Sequence, residues 1–275
     1  MKERLGRLEA QFFAYAQMRK MRTVRRGDLS GSMLRLTADQ ERKLLSRLAR
    51  ARLIARVRRG LYLVPPRLPL GGAWTPDESL AINTLIADRQ GRYQICGPNA
   101  FNRYGYDDQL PNRIYAYNNR ISGDRAIAAV NLTLIKVADE RLGETEAQKT
   151  VDGESAVYSS RARTLFDAVY DWSRFGSLPR AYDWIRADLG AERVRPAELV
   201  RITQRYGDVG AIRRIGALLD REGVDQRHLR SLERQLRTPK NPIPWIPGRA
   251  RRGKVDRRWG VVWNDRAWAS PPPLA

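Results

Sequence analysis

The chain reads as an α+β protein built from two unlike parts, on three observations. First, 275 residues carry 51 Lys and Arg against 30 Asp and Glu, a formal net charge of +21. Second, that charge is concentrated at the ends. Residues 1–67 hold 18 basic and five acidic side chains and residues 249–275 hold seven and two, which leaves only about +3 for the long middle. Third, the first 66 residues run through helical periodicities into an alternating, β-favouring stretch, whereas strands and helices intermingle from residue 77 onward.

The elements follow in order. In "LGRLEAQFFAYAQM" (5–18), Leu5, Leu8, Phe12, Tyr15 and Met18 recur at helical spacing, which predicts a first helix. "VRRGDLSGSM" (24–33) is read as a short second helix. A third starts at Thr37, where Gln40 three residues on completes a capping box. Glu41, Leu44, Leu45 and Leu48 fall on one side of it, and Gln40, Lys43, Ser46, Arg47 and Arg50 on the other. Next, "ARLIARVRRGLYLVPP" (51–66) reads as a hairpin, with Gly60 suited to the turn and Pro65 and Pro66 closing the second strand. Three helices and a terminal hairpin make a winged helix-turn-helix over residues 1–66, in which the third helix enters the major groove and the hairpin lies along the backbone. Residues 67–76, rich in Pro and Gly, read as a linker, and 77–275 as a larger α+β C-terminal domain with a basic tail. Its expected elements are a helix at 77–88, strands at 93–96, 113–118, 130–137, 155–158 and 259–263, a short helix after Cys96, and helices from 160 to 236.

Composition narrows the function. A field of this size and sign attracts polyanions, with nucleic acid foremost. The basic residues run unbroken from the third helix to the hairpin tip, so Thr37, Gln40, Lys43, Arg47, Arg50, Arg52, Arg56, Arg58 and Arg59 are the expected DNA-binding set. Contact of six of them with phosphates implies a log–log salt slope of about −5. The opening "MKERLGRLEAQ" lacks a signal-peptide core and the apolar window "AIAAVNLTLI" (126–135) is too short to span a bilayer, so a cytoplasmic location and no membrane contact are expected. A single cysteine, Cys96, excludes an intramolecular disulfide and a multi-cysteine zinc site. With one histidine, His228, and no recognisable nucleophile or cofactor motif, neither catalysis nor a cofactor or metal is expected. The carboxylates Asp152 and Glu154 lack the lysine of a restriction-type nuclease core. Arg163 and Asp167 stand one helical turn apart and read as an ion pair. For the tail at 249–258, a nucleic-acid arm, a contact for an acidic partner and plain solubilising charge stay open.

Several segments, in order, resemble AbiEi-type antitoxins of type IV (abortive infection) toxin–antitoxin systems. These are the hairpin "VRRGLYLVPP" (57–66), "ICGPNAFNRYGY" (95–106), "SSRARTLFDAV" (159–169), "IRRIGALLDREG" (212–223) and the Trp-containing "DRRWGVVWND" closed by Asn264. The turn "SGSMLRLTADQ" (30–40) is longer than the compact family form. The resemblance implies a bacterial phage-defence protein with two roles. Its head would bind inverted repeats in its own promoter, as a monomer or weak dimer on double-stranded DNA, and repress the operon. Its body would neutralise a nucleotidyltransferase-like toxin encoded next door, without requiring a stable complex. The competing expectation is a winged-helix transcriptional regulator with a ligand-sensing or protein-binding body and no toxin partner.

Overall fold

A computed structural model describes residues 5–31, 34–68, 73–150, 153–236 and 241–269. The chain is mixed α and β and divides into two compact units, one formed by 1–93, 112–139 and 147–156, the other by 94–111, 140–146 and 157–275.

In the first unit, α1 (Arg7–Met18) buries Phe12, Phe13 and Ala16, and its start is held by a 2.6 Å hydrogen bond from the Gly6 amide to Glu9. The helix expected over 24–33 does not form among the described residues. Thr23–Arg25 is instead a strand, β1, paired antiparallel with Leu61–Leu63. The turn after it is organised by Glu41, whose fully buried carboxylate accepts from the Gly27 amide at 3.0 Å and the Leu29 amide at 3.3 Å. Residues 32 and 33 lie outside the described residues. α2 (Ala38–Arg50) begins with the expected capping box, in which the Gln40 amide donates to Thr37 Oγ1 and the Thr37 amide to Gln40 Oε1. Glu41, Leu44, Leu45 and Leu48 form its buried side, as their spacing requires.

The hairpin forms as expected from β2 (Ala55–Arg58) and β3 (Leu61–Leu63), with Gly60 at φ +79°. The left-handed conformation there is one that glycine adopts without a Cβ clash. The sheet order is β1-β3-β2, and its register shifts between Arg56 and Arg58. Packed with it are Phe12, Leu29, Leu44, Leu48, Ile54 and Val64, all buried.

Farther along, α3 (Glu78–Asp88) is capped by Asp77, whose carboxylate accepts from the Ser79 and Leu80 amides at 2.9 and 3.2 Å. Of residues 67–76, 69–72 lie outside the described residues, and α3 falls in the same compact unit as the N-terminal elements. β4 (Tyr93–Ile95) and α4 (Pro98–Arg103) lead to β5 (Ile114–Asn118), β6 (Gly123–Ile127) and β7 (Val130–Lys136). β7 pairs parallel with β5 and antiparallel with β6. The apolar window 126–135 is thus a hairpin, broken at Ala128 with φ +53°.

Within the second unit, strand residues Ile95 and Tyr158 pair in parallel. β8 (Thr145–Lys149) and β9 (Ser155–Ser159) precede the helices α5 (Arg161–Tyr170), α6 (Trp172–Phe175), α7 (Arg180–Gly190), α8 (Pro196–Tyr206), α9 (Val209–Arg221) and α10 (Gln226–Glu233). A small sheet follows, with β12 (Val261–Trp263) between β10 (Ile243–Pro244) and β11 (Lys254–Asp256), and then α11 (Arg266–Ala269). The core gathers Leu165, Phe166, Tyr182, Ile215, Trp245 and Trp259.

Candidate nucleic-acid interface

An open groove runs between α2 and the hairpin. Arg42, Lys43, Ser46, Arg47 and Arg50 line it from the helix, Arg56 and Tyr62 from the strands, and Arg59 from the turn between them. The helical contribution follows from spacing, because residues 43, 46, 47 and 50 share the face opposite the leucines. The strand contribution depends on the bulge. In a regular strand Arg56 and Arg58 would point the same way, and one extra residue reverses the phase. Arg56 consequently lines the groove and stands opposite Tyr62, while Arg58 does not line it.

Arg58 instead grips Asp88 at the end of α3, Nε to Oδ2 at 2.6 Å and Nη2 to Oδ1 at 2.7 Å. Arg25 of β1 reaches the same carboxylate at 2.8 Å. The Asp88 side chain is only 3% exposed. The Arg58 hydrogen bonds, seconded by Arg25, outweigh burial and hold its pKa down at about 2. One carboxylate therefore ties both outer strands of the three-stranded sheet to α3.

The groove's cations fall into two groups. Asp39 pairs with Lys43 at 2.8 Å and with Arg42 at 2.5 Å, and those contacts lower its pKa to about 2. Arg47 pairs with Glu9 at 2.5 Å. Arg50, Arg56 and Arg59 are exposed, and among the described residues no carboxylate lies within ion-pair distance of them. Three guanidinium groups are thus held on one wall or the other of a groove without an internal counter-charge.

Five of the nine residues expected from the sequence line this groove: Lys43, Arg47, Arg50, Arg56 and Arg59. Thr37 and Gln40 are engaged with one another in the capping box and lie outside it. Arg52 is exposed at φ +56°, its carbonyl accepting from the Trp74 amide at 2.8 Å, and also lies outside. Arg42 and Tyr62 were not anticipated. Helical spacing from Ser46 and Arg50 could have located Arg42, whereas Tyr62, a buried strand residue, gave no signal.

In the second unit, the residues that carry the family resemblance serve the architecture. Arg163 and Asp167 are each 1% exposed and pair at 2.9 Å, and the Arg163 guanidinium also donates to the Gly143 and Arg141 carbonyls. A Cβ on Gly216 would stand 2.2 Å from the buried Trp259 ring. Asn264 accepts from the Ile246 amide and donates to its carbonyl, clasping β12 to the segment after β10. Cys96 is buried, and His228 lies half-buried on α10. Among the described residues no group of three or more His, Cys, Asp and Glu side chains could hold a metal ion. Asp152 lies outside the described residues, and among those described no helix is long and apolar enough to cross a membrane.

No family model and no curated protein matches the chain. Among solved structures it is similar to the crystal structure of the RV2827C protein from Mycobacterium tuberculosis, at 16% sequence identity and a TM-score of 0.57. The match covers 94% of this chain and 92% of that one. At such identity the likeness speaks to fold, and it establishes that this mixed α and β arrangement recurs at nearly full length in a second protein.

Proposed function

We propose that the chain is a DNA-binding antitoxin that represses its own operon, with the groove between α2 and the hairpin as its DNA-binding surface. The observation that carries the DNA half is that Arg50, Arg56 and Arg59, which have no carboxylate partner among the described residues, line one groove. Guanidinium groups held without internal counter-charges attract phosphate oxygens and can grip them with paired hydrogen bonds. The order α1, β1, α2, β2, β3 and the sheet order β1-β3-β2 support reading this part as a winged helix-turn-helix. In that reading the turn organised by Glu41 stands where the second helix would be, α2 is the recognition helix, and Arg56 and Arg59 are the phosphate contacts of the wing.

The antitoxin half rests on the ordered resemblance to AbiEi-type proteins. Arg163, Asp167, Gly216 and Asn264, which belong to it, are packed or hydrogen-bonded within the second unit, which supports reading these segments as scaffold.

A salt titration of the full chain on duplexes from its own promoter and on scrambled duplexes tests the first half. The groove by itself is expected to contribute about −4 to −5 to the slope of log K against log[salt], and the slope to become less steep by about 2 to 3 in an Arg50→Gln/Arg56→Gln/Arg59→Gln variant. An unchanged slope in that variant overturns the assignment. Co-expression with the adjacent open reading frame tests the second half, with rescue from toxicity expected. DNA binding without rescue overturns it in favour of a regulator lacking a toxin partner.

A further inference from the structure

The basic segment at 249–258 is not a loose tail. At its start, Asn264 Nδ2 reaches the Ala250 carbonyl at 3.2 Å, and Arg249 pairs with Asp265. At its end, Arg258 pairs with Asp220 and Glu233, each at 3.1 Å, and the Trp259 indole donates to Asp220 at 2.9 Å. Between these anchors, β11 runs antiparallel to the buried β12. Gly253, at φ +149°, lies so close that a Cβ there would meet the Trp263 carbonyl at 2.1 Å. Both ends and one edge of the segment are therefore fixed.

Four cations project from this frame: Arg251, Arg252, Lys254 and Arg257. All are exposed, and among the described residues none has a carboxylate within ion-pair distance. Four like charges fixed within seven residues repel one another, and a polyanion relieves that repulsion. An acidic protein would also supply negative charge, but protein interfaces are built on a buried apolar core. The only apolar side chain the strand offers beside these cations is Val255, 43% exposed. Phosphate contacts need no apolar core and carry no sequence information.

We infer that the β11–β12 hairpin is a second phosphate-binding surface, on the second unit, that contacts the backbone of duplex DNA and adds affinity without adding sequence preference. This rests on the DNA-binding reading above but not on the groove residues themselves.

The test uses the full chain and 30-base-pair duplexes, one from its promoter and one scrambled, followed by fluorescence anisotropy over a range of KCl concentrations. An Arg251→Gln/Arg252→Gln/Lys254→Gln/Arg257→Gln variant is expected to bind both duplexes about 100-fold or more weakly at 0.1 M salt, with a slope less steep by about 3 to 4. A charge-retaining Arg251→Lys/Arg252→Lys/Arg257→Lys variant is expected to bind within a few-fold of the native chain, which separates lost charge from lost folding. Affinities within twofold of native and parallel salt slopes for the glutamine variant overturn the inference. So does DNA binding that is unchanged while retention of poly-glutamate is lost, which assigns the surface to an acidic protein. If the groove variant binds like the native chain while the hairpin variant fails, the groove reading falls and this inference stands.

Discussion

The groove and the interior of the second unit use the same residue in opposite ways. Arg50, Arg56 and Arg59 stand exposed, with no carboxylate partner among the described residues. Arg163, by contrast, is enclosed with Asp167 and two backbone carbonyls, and Arg161 is 28% exposed with its guanidinium on Asp188 and over the Tyr104 ring. An arginine neutralised within the fold contributes to architecture, whereas one without a counter-charge is available to a partner. Net charge alone does not separate the two uses, and Arg58 shows why. It sits in a strongly basic stretch of the chain and is nevertheless held by Asp88.

The sharpest way to break this contrast is Arg163→Ala. Removing one member of a buried pair strands the other charge, so a loss of about 3–5 kcal/mol is expected, read from the urea midpoint. A loss below about 1 kcal/mol would show that water reaches Asp167 and that the pair is not architectural. The next effect concerns pH. Asp88 is held at about 2, below the ordinary carboxylate value near 3.9, so the unfolded chain takes up the proton first. The stability it contributes, about 2 kcal/mol, is complete above pH about 4 and is lost as the pH falls from about 4 towards 2. An Asp88→Asn variant should start less stable and decline less steeply over that window, and stability–pH curves parallel to the native chain's would refute the clamp.

Those two pairs also mark what sequence can disclose. Arg163 and Asp167 lie one helical turn apart, and the capping box at Thr37 and Gln40 spans three residues, so both were legible locally. So was the division of α2 into a leucine side and a basic side. The expected second helix gives way to a strand because Thr23–Arg25 finds its partner in Leu61–Leu63, nearly forty residues on, and a short segment follows long-range pairing over local preference. Arg58 looked like its neighbours because neither the bulge that reverses the strand's phase nor Asp88, thirty residues away, leaves a local mark. The strand β8, "TEAQK", is exposed throughout and lacks the alternation that would reveal it.

Arg58 and Arg59 make the most direct comparison of the two uses, since they are adjacent in sequence. Arg59→Ala should leave stability within about 0.5 kcal/mol of native, weaken DNA binding about five- to tenfold at 0.1 M salt, and reduce the salt slope by about 1. Arg58→Ala should lower stability instead and leave the salt slope as it was. Identical outcomes for both variants would dissolve the distinction.

The smallest effect belongs to the cations between the two extremes. Lys43 and Arg42 line the groove, yet both lean on Asp39, an exposed carboxylate on the same helix. Such a pair is weak in water, and DNA phosphates compete with it. Asp39→Asn removes a negative charge from the rim and frees two cations at once, so DNA binding should strengthen about two- to fivefold at low salt. The gain should shrink as salt rises, because screening weakens the phosphate attraction and the carboxylate repulsion together. A weakened complex instead would mean that Asp39 positions Lys43 and Arg42 for contact, placing these two cations with Arg58, among those whose place in the fold depends on a carboxylate.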